Sequence, residues 1–190
     1  MATRVFNILC SIVLLLIFGL PILLIIIAIR LTSKGPAIHW SKRIGKNNEI
    51  FLMPKFRTMK IDTPQVATHL LTSSGKAESY ITPVGSFLRK TSLDELPQIW
   101  SVLVGDMNLV GPRPALFNQD DLKALRTECG VHSLTPGVTG WAQINGRDEI
   151  AIPEKVKLDK EYLDRRNFWF DLKILFLTAY KVIARKDVSH

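Results

Sequence analysis

The stretch ILCSIVLLLIFGLPILLIIIAI, residues 8–29, decides how the rest of the chain is read. As a helix rising ~1.5 Å per residue, this run of about 22 residues reaches roughly 33 Å, enough to cross the hydrocarbon layer of a bilayer. It has no polar face, which argues against a core helix in so small a protein. A cleavable signal peptide would have a shorter apolar region, and no Ala-x-Ala-like site follows Ile29. Gly19 and Pro21 fall mid-run, and proline removes a backbone donor and crowds the preceding turn, so it kinks or breaks a helix. Basic residues flank both sides: Arg4 before, then Arg30, Lys34, Lys42 and Arg43 after. That charge pattern fits a hairpin with both ends in the cytoplasm, and it also fits a straight span with its C-terminal side inside.

Working outward, 190 residues at 47% hydrophobic composition allow one domain with an appended segment and exclude wholesale disorder. Cys10 and Cys129 form no disulfide framework, and His39, His69, His132 and His190 lack metal-ligand spacing. The net charge of +8 is unevenly placed: six basic residues and no acidic one precede Glu49, leaving 19 basic against 17 acidic beyond it. Excess charge beside an apolar segment suits anionic lipid headgroups; a nucleic-acid binder would carry it on the folded domain. No nucleic-acid partner is expected.

Short apolar runs at 37–40 and 50–53 suit strands or an interfacial layer, and 61–80 reads as a loop or weak helix. Residues 85–89, 93–103 and 118–129 read as helices, the last a charged surface helix ended by Gly130. Thr135-Pro136-Gly137 and Asn145-Gly146 read as turns. A final helix over 162–183 mixes Phe168, Trp169, Phe176 and Tyr180 with Lys173 and Lys181. Too short to span, it suits either an in-plane interfacial position or packing on the core.

Chemistry is carried first by Asp94-Glu95. Ser92 followed by Glu95 matches a capping box, and Pro97 belongs to a helix start, so both carboxylates sit in a first turn where amide donors favour ionisation. Two adjacent anions would welcome a divalent cation, although plain helix capping explains the same residues. Lys55, Arg57, Arg89, Arg113 and Arg147 lie near proline or glycine turns and suit phosphate oxygens, or else surface ion pairs. The stiff Gly111-Pro112-Arg113-Pro114 segment would hold its arginine in place. Asp171 sits among apolar neighbours and is read as a helix cap or an arginine partner. Neither a P-loop nor a Gly-x-Gly-x-x-Gly pattern is present.

The sequence resembles the small monotopic phosphoglycosyl transferases of the bacterial sugar transferase family. The resemblance runs collinearly from about residue 6 to residue 183, through Pro21, Gly35-Pro36, Arg43-x-Gly45, Lys55-Phe56-Arg57-Thr58-Met59 and Arg89. It continues through Thr91-Ser92-Leu93-Asp94-Glu95-Leu96-Pro97-Gln98, Gly105-Asp106-Met107, Gly111-Pro112-Arg113-Pro114, Pro136-Gly137-x-Thr139-Gly140, Gln143-x-Asn145-Gly146-Arg147 and Asp171. The length is that of the family's minimal form.

The resemblance implies an α+β, mainly helical fold. It has a re-entrant membrane helix broken near Pro21 (residues 1–33) and a cytoplasmic, membrane-associated catalytic domain with interfacial amphipathic helices (residues 34–190). Many members have Ser before that proline; here it is Leu20, which offers no hydroxyl to backbone groups freed at a bend. The implied reaction moves a sugar phosphate from a UDP-sugar to undecaprenyl phosphate with Mg²⁺ and releases UMP. Asp94 would be the nucleophile, Glu95 its assistant through the metal or proton handling, and Lys55, Arg57, Arg89, Arg113 and Arg147 the phosphate-holding cations. The Gly111–Pro114 segment would help form the nucleotide site. Residues 59–64 and 114–119 look like capsule or O-antigen enzymes that use an N-acetylated UDP-sugar, with or without a 6-hydroxyl, such as UDP-N-acetylfucosamine. The expected location is the cytoplasmic face of the bacterial inner membrane, among inner-leaflet lipids and downstream glycosyltransferases, with a homodimer left open. A membrane-bound Mg²⁺-dependent nucleotide-sugar hydrolase and a non-catalytic membrane scaffold are the competing readings.

Overall fold

The structure is a computed structural model that describes residues 2–61, 63, 80–146 and 150–184. Most of the segment read as a loop at 61–80 therefore lies outside the described residues. Helix α1 (Ala2–Thr32) contains the apolar stretch and is long and apolar enough to cross a membrane. It is helical throughout, with Pro21 inside it, so of the kink or break expected there the break is absent. A proline deletes one backbone bond and leaves those of neighbouring turns in place.

Both ends of α1 pack on the rest of the chain. Near its start, Phe6, Cys10 and Leu14 lie against the main core of Met53, Val102, Met107, Leu109 and Ile174. Near its end, Ile22, Ile25, Ile26 and Ile29 pack with Ala37, Phe56 and Leu88. Leu16, Ile17, Leu20, Leu23 and Leu24 between them are exposed. An aliphatic surface this continuous is of the kind that suits lipid.

Strands β1 (Ile38–Ile44) and β2 (Ile50–Phe56) form an antiparallel hairpin that pairs His39 with Lys55 and Ile44 with Ile50. Its connection turns on Asn47 and Asn48, whose positive φ values of 54° and 63° suit asparagine. Alternation along the strands sets His39, Arg43 and Lys55 on one face and exposed Trp40 and Leu52 on the other.

Helix α2 (Pro83–Lys90) starts at Thr82, whose hydroxyl accepts from Gly85 N at 2.9 Å, with Pro83 in the first turn. A Cβ on Gly85 would stand 2.0 Å from Thr58 O, so glycine is what lets α2 lie against the chain leaving β2. A short 3₁₀ turn (Leu93–Glu95) leads into helix α3 (Gln98–Val104), which replaces the single helix expected over 93–103. Strands β3 (Asn108–Val110) and β4 (Gly137–Thr139) pair in parallel, so the expected Thr135-Pro136-Gly137 turn is partly strand. Their backbones cross closely: Gly111 N donates to Thr139 O and Gly137 N to Pro112 O, each at 2.9 Å.

Helices α4 (Asp120–Glu128), α5 (Trp141–Asn145), α6 (Ile152–Arg165) and α7 (Phe168–Ile183) complete the fold, which is α+β and mainly helical. The helix expected over 162–183 is divided at Asn167. That residue is extended (φ −158°), and its side chain accepts from Phe170 N at 2.9 Å, starting a new helix. α7 buries Phe170 and Ile174 and exposes Trp169, Phe176 and Tyr180 with Lys173 between them. It thus packs on the core with one face and presents an aromatic, basic face outward, the pattern of an interfacial helix.

Two predictions follow from this packing. Gly85→Ala is expected to lower stability by about 2–3 kcal/mol, because backbone must move, whereas Gly19→Ala, with nothing within 4 Å, should leave melting in detergent unchanged. Single cysteines replacing Thr3 and Pro36 should react with an impermeant maleimide from the same side of the membrane; reaction from opposite sides would mean a straight span.

Candidate active site

After α2 the chain reverses through Ser92, whose φ of 56° is left-handed. The expected capping box does not form, because the Ser92 side chain makes no cap bond and Glu95 turns elsewhere. Glu95 Oε1 accepts from Lys55 Nζ at 2.7 Å and from Arg113 Nη2 at 3.0 Å. Three elements therefore meet on one carboxylate oxygen: β2, the 3₁₀ turn and the loop after β3. Burial alone would raise the Glu95 pKa, but Arg113 and Lys55 hold it well below the usual carboxylate range. Burial pushes the Lys55 pKa down while Glu95 pulls the other way.

Asp94 is buried beside this pair. The Arg89 guanidinium, at the end of α2, is lowered in pKa by burial and feels the opposing charge of Asp94. Arg89 Nε donates to Thr58 Oγ1 at 3.0 Å, which fixes its direction. His39 stands opposite Lys55 in the hairpin register. Partial burial, then the Arg43 and Lys55 charges, push its imidazole pKa down. The site therefore gathers three cations around two adjacent carboxylates, a surplus that suits phosphate.

The Gly111–Pro114 loop is pinned on several sides. Arg43 Nη1 donates to Pro114 O at 3.2 Å, and Ile44 N to Ala115 O at 2.9 Å. Arg126 Nη1 donates to Arg113 O at 2.9 Å while Nε and Nη2 grip Asp159 Oδ2 at 3.0 and 2.7 Å. The buried Arg126–Asp159 pair thus sets the backbone from which Arg113 reaches Glu95. Sequence reading passed over both residues. The available signal was a charge on a buried helical stripe: Leu122 and Arg126 in α4, and Val156, Asp159 and Tyr162 in α6.

Of the residues singled out from sequence, Asp94, Glu95, Lys55, Arg89 and Arg113 come together, and Gly111, Pro112 and Pro114 shape the loop. Arg57 does not join them. β2 ends at Phe56, so the alternation that would set Arg57 beside Lys55 has stopped. Arg57 instead donates to Lys34 O at 2.6 Å, Ser33 O at 3.0 Å and Ser33 Oγ at 2.7 Å, meeting carbonyls at the end of α1. Arg147 lies outside the described residues. Asp171 lies in the first turn of α7 and feels the Arg166 charge, though it makes no close ion pair among the described residues, and it accepts from Tyr162 Oη at 2.8 Å. Burial raises the pKa of both groups, and Asp171 drives the phenol further up.

The Arg126–Asp159 side chains are only 10% and 2% exposed. Asp159→Ala should therefore cost about 3–5 kcal/mol by stranding a buried guanidinium, with most of the loss recovered in an Arg126→Met, Asp159→Leu double variant. Denaturant titration of the three variants checks this.

The family model described as "Bacterial sugar transferase" matches residues 1–185. The undecaprenyl-phosphate galactose phosphotransferase of Salmonella typhimurium is 37% identical over 98% of this chain and 41% of its own. The UDP-glucose:undecaprenyl-phosphate glucose-1-phosphate transferase of Escherichia coli is 40% identical over 94% of this chain and 39% of its own. The sugar transferase EpsL of Bacillus subtilis is 41% identical over 98% of this chain and 89% of its own. The chain thus spans about two fifths of the first two relatives. With the family match running from end to end and these identities behind it, the chain belongs to the bacterial sugar transferase family.

Proposed function

We propose that the chain transfers a sugar phosphate from a UDP-sugar to undecaprenyl phosphate on the cytoplasmic face of the bacterial inner membrane. The observation that carries the reading is Glu95, half-buried and paired with both Lys55 and Arg113, next to buried Asp94. An Asp94 carboxylate oxygen attacks the β-phosphorus, the bond from that phosphorus to the bridging oxygen breaks, and UMP leaves with the electron pair. A phosphate oxygen of the lipid then attacks the same phosphorus and releases Asp94, so that polyprenyl diphospho-sugar departs. Lys55, Arg89 and Arg113 stabilise charge on the phosphoryl oxygens in both steps.

A divalent cation fits the donor set. No group of three or more His, Cys, Asp or Glu side chains forms a protein cage among the described residues. Two carboxylates completed by substrate phosphate and water match the way Mg²⁺ binds. Asp94 and Glu95 would hold it, and Mg²⁺ supplies charge neutralisation at the phosphates. The sugar is proposed to be N-acetylated. Part of the stretch behind that choice, Asp62 and Pro64, lies outside the described residues.

The packing of both ends of α1 on one body supports a helix that enters and leaves the bilayer by one face. It would set the catalytic dyad beside the leaflet that holds the acceptor, and downstream glycosyltransferases would extend the product there.

In detergent with a panel of UDP-sugars, UMP release is expected only when both Mg²⁺ and a polyprenyl phosphate are present. Asp94→Asn should lose about 10³-fold or more of that rate. UMP formed equally well without lipid would make the protein a nucleotide-sugar hydrolase.

A further inference from the structure

Three polar residues interrupt the exposed aliphatic surface of α1 near its start, and all three face the body of the chain. Arg4 Nη1 donates to Val102 O and Nη2 to Leu103 O, each at 2.6 Å. Asn7, only 2% exposed, donates from Nδ2 to Asn108 Oδ1 at 2.8 Å. Ser11 is fully buried one turn further on. An apolar residue would pack at these positions as well or better, and burying amide and guanidinium groups is unfavourable unless each finds a partner. Position-specific hydrogen bonding, and not lipid insertion, explains Arg4 and Asn7, whereas the Ser11 hydroxyl makes no hydrogen bond among the described residues.

Their partners locate what the bonds control. Val102 and Leu103 are in the last turn of α3, whose start is joined to Asp94-Glu95 by Leu96 and Pro97. The Arg4 guanidinium satisfies carbonyls that a helix end leaves unpaired. It lies over Gly105, where a Cβ would be 3.4 Å from the guanidinium carbon. Asn108 opens β3, whose far end runs into Gly111-Pro112-Arg113. α1 therefore grips the 105–107 bend from which two arms run, one to Glu95 and one to Arg113. Those arms close on each other through the Arg113–Glu95 ion pair.

We infer that Arg4 and Asn7 are positioning residues for the transfer reaction: the start of the membrane helix braces the two arms that carry the catalytic dyad and its arginine. The inference rests on the function proposed above. A loose bend would let Asp94 and Arg113 shift relative to each other, and a displacement of about 1 Å at reacting groups costs about 10²-fold in rate.

Arg4→Ala, Asn7→Ala and Arg4→Lys are to be purified as full chains in detergent and compared with the unaltered protein. Hydrogen exchange at residues 93–96 and 111–115 should speed up in Arg4→Ala and Asn7→Ala, with exchange in β1 and β2 unchanged. In turnover, Arg4→Ala should lose about 10-fold or more in kcat with KM for the UDP-sugar changed less than about 3-fold. Millimolar methylguanidinium should restore part of that loss, and should not restore Asn7→Ala. Arg4→Lys, which keeps one donor to the α3 carbonyls, should fall between and serves if Arg4→Ala does not fold. Unchanged exchange at 93–96 and 111–115, or full kcat in folded variants, overturns the brace. Absence of transfer by the unaltered protein overturns the proposed function instead, and the exchange data then still decide whether α1 holds the two arms.

Discussion

The fold converges on one carboxylate oxygen. Glu95 Oε1 takes both Lys55 and Arg113 in a site closed to most solvent. Removing charges from water is costly, and the cost is offset only when every partner arrives in good geometry. That requirement explains structure well away from the site. The β1–β2 hairpin must deliver Lys55, the 3₁₀ turn must deliver Glu95, and the loop after β3 must deliver Arg113. Gly85 lets α2 press onto Thr58, and Gly111 and Gly137 let two backbones cross, because side chains at those points would hold the elements apart. The Arg126–Asp159 pair then fixes the Arg113 carbonyl from behind.

Arginines at the two ends of α1 do related work in opposite directions. Arg57 reaches from beyond β2 to the carbonyls after the helix, and Arg4 reaches from the helix to the carbonyls of α3. A helix held at both ends, with an aliphatic surface exposed between, is part of the catalytic body as well as its attachment to lipid. The exposed Trp169, Phe176 and Tyr180 of α7 extend the same apolar surface, and Phe6 of α1 meets Phe168 of α7 edge to face at 5.5 Å. On the proposed reading, one assembly would set both depth in the membrane and geometry at Asp94.

Much of this was legible in the sequence. The apolar run, α2 and α4 follow from periodicity and turn residues, two short apolar runs lie within or beside the hairpin strands, and the set of Asp94, Glu95, Lys55, Arg89 and Arg113 follows from the motif order of the family resemblance. The misses have local causes. Ser92 and Glu95 have capping-box spacing, but the Lys55 and Arg113 charges outbid a backbone amide for Glu95. Arg57 is two residues after Lys55, yet the strand ends between them. Asn167 divides a long apolar helix because its side chain caps better than it continues. Arg126 and Asp159 were passed over because each alone looks like a surface charge; only the fold shows them facing inward together. Pro21 was expected to kink or break α1, and the helix runs on through it without a break.

The central claim is that Asp94 carries the sugar phosphate between donor and lipid, held ready by the Glu95 cation pair. Intact-protein mass spectrometry after mixing enzyme, Mg²⁺ and UDP-sugars, with no polyprenyl phosphate added, tests it most directly. The account predicts a mass gain of one sugar phosphate that maps to Asp94 and disappears when the lipid is supplied. An enzyme that turns over with lipid, yet never gains that mass without it, would contradict the account and require direct transfer between two bound substrates.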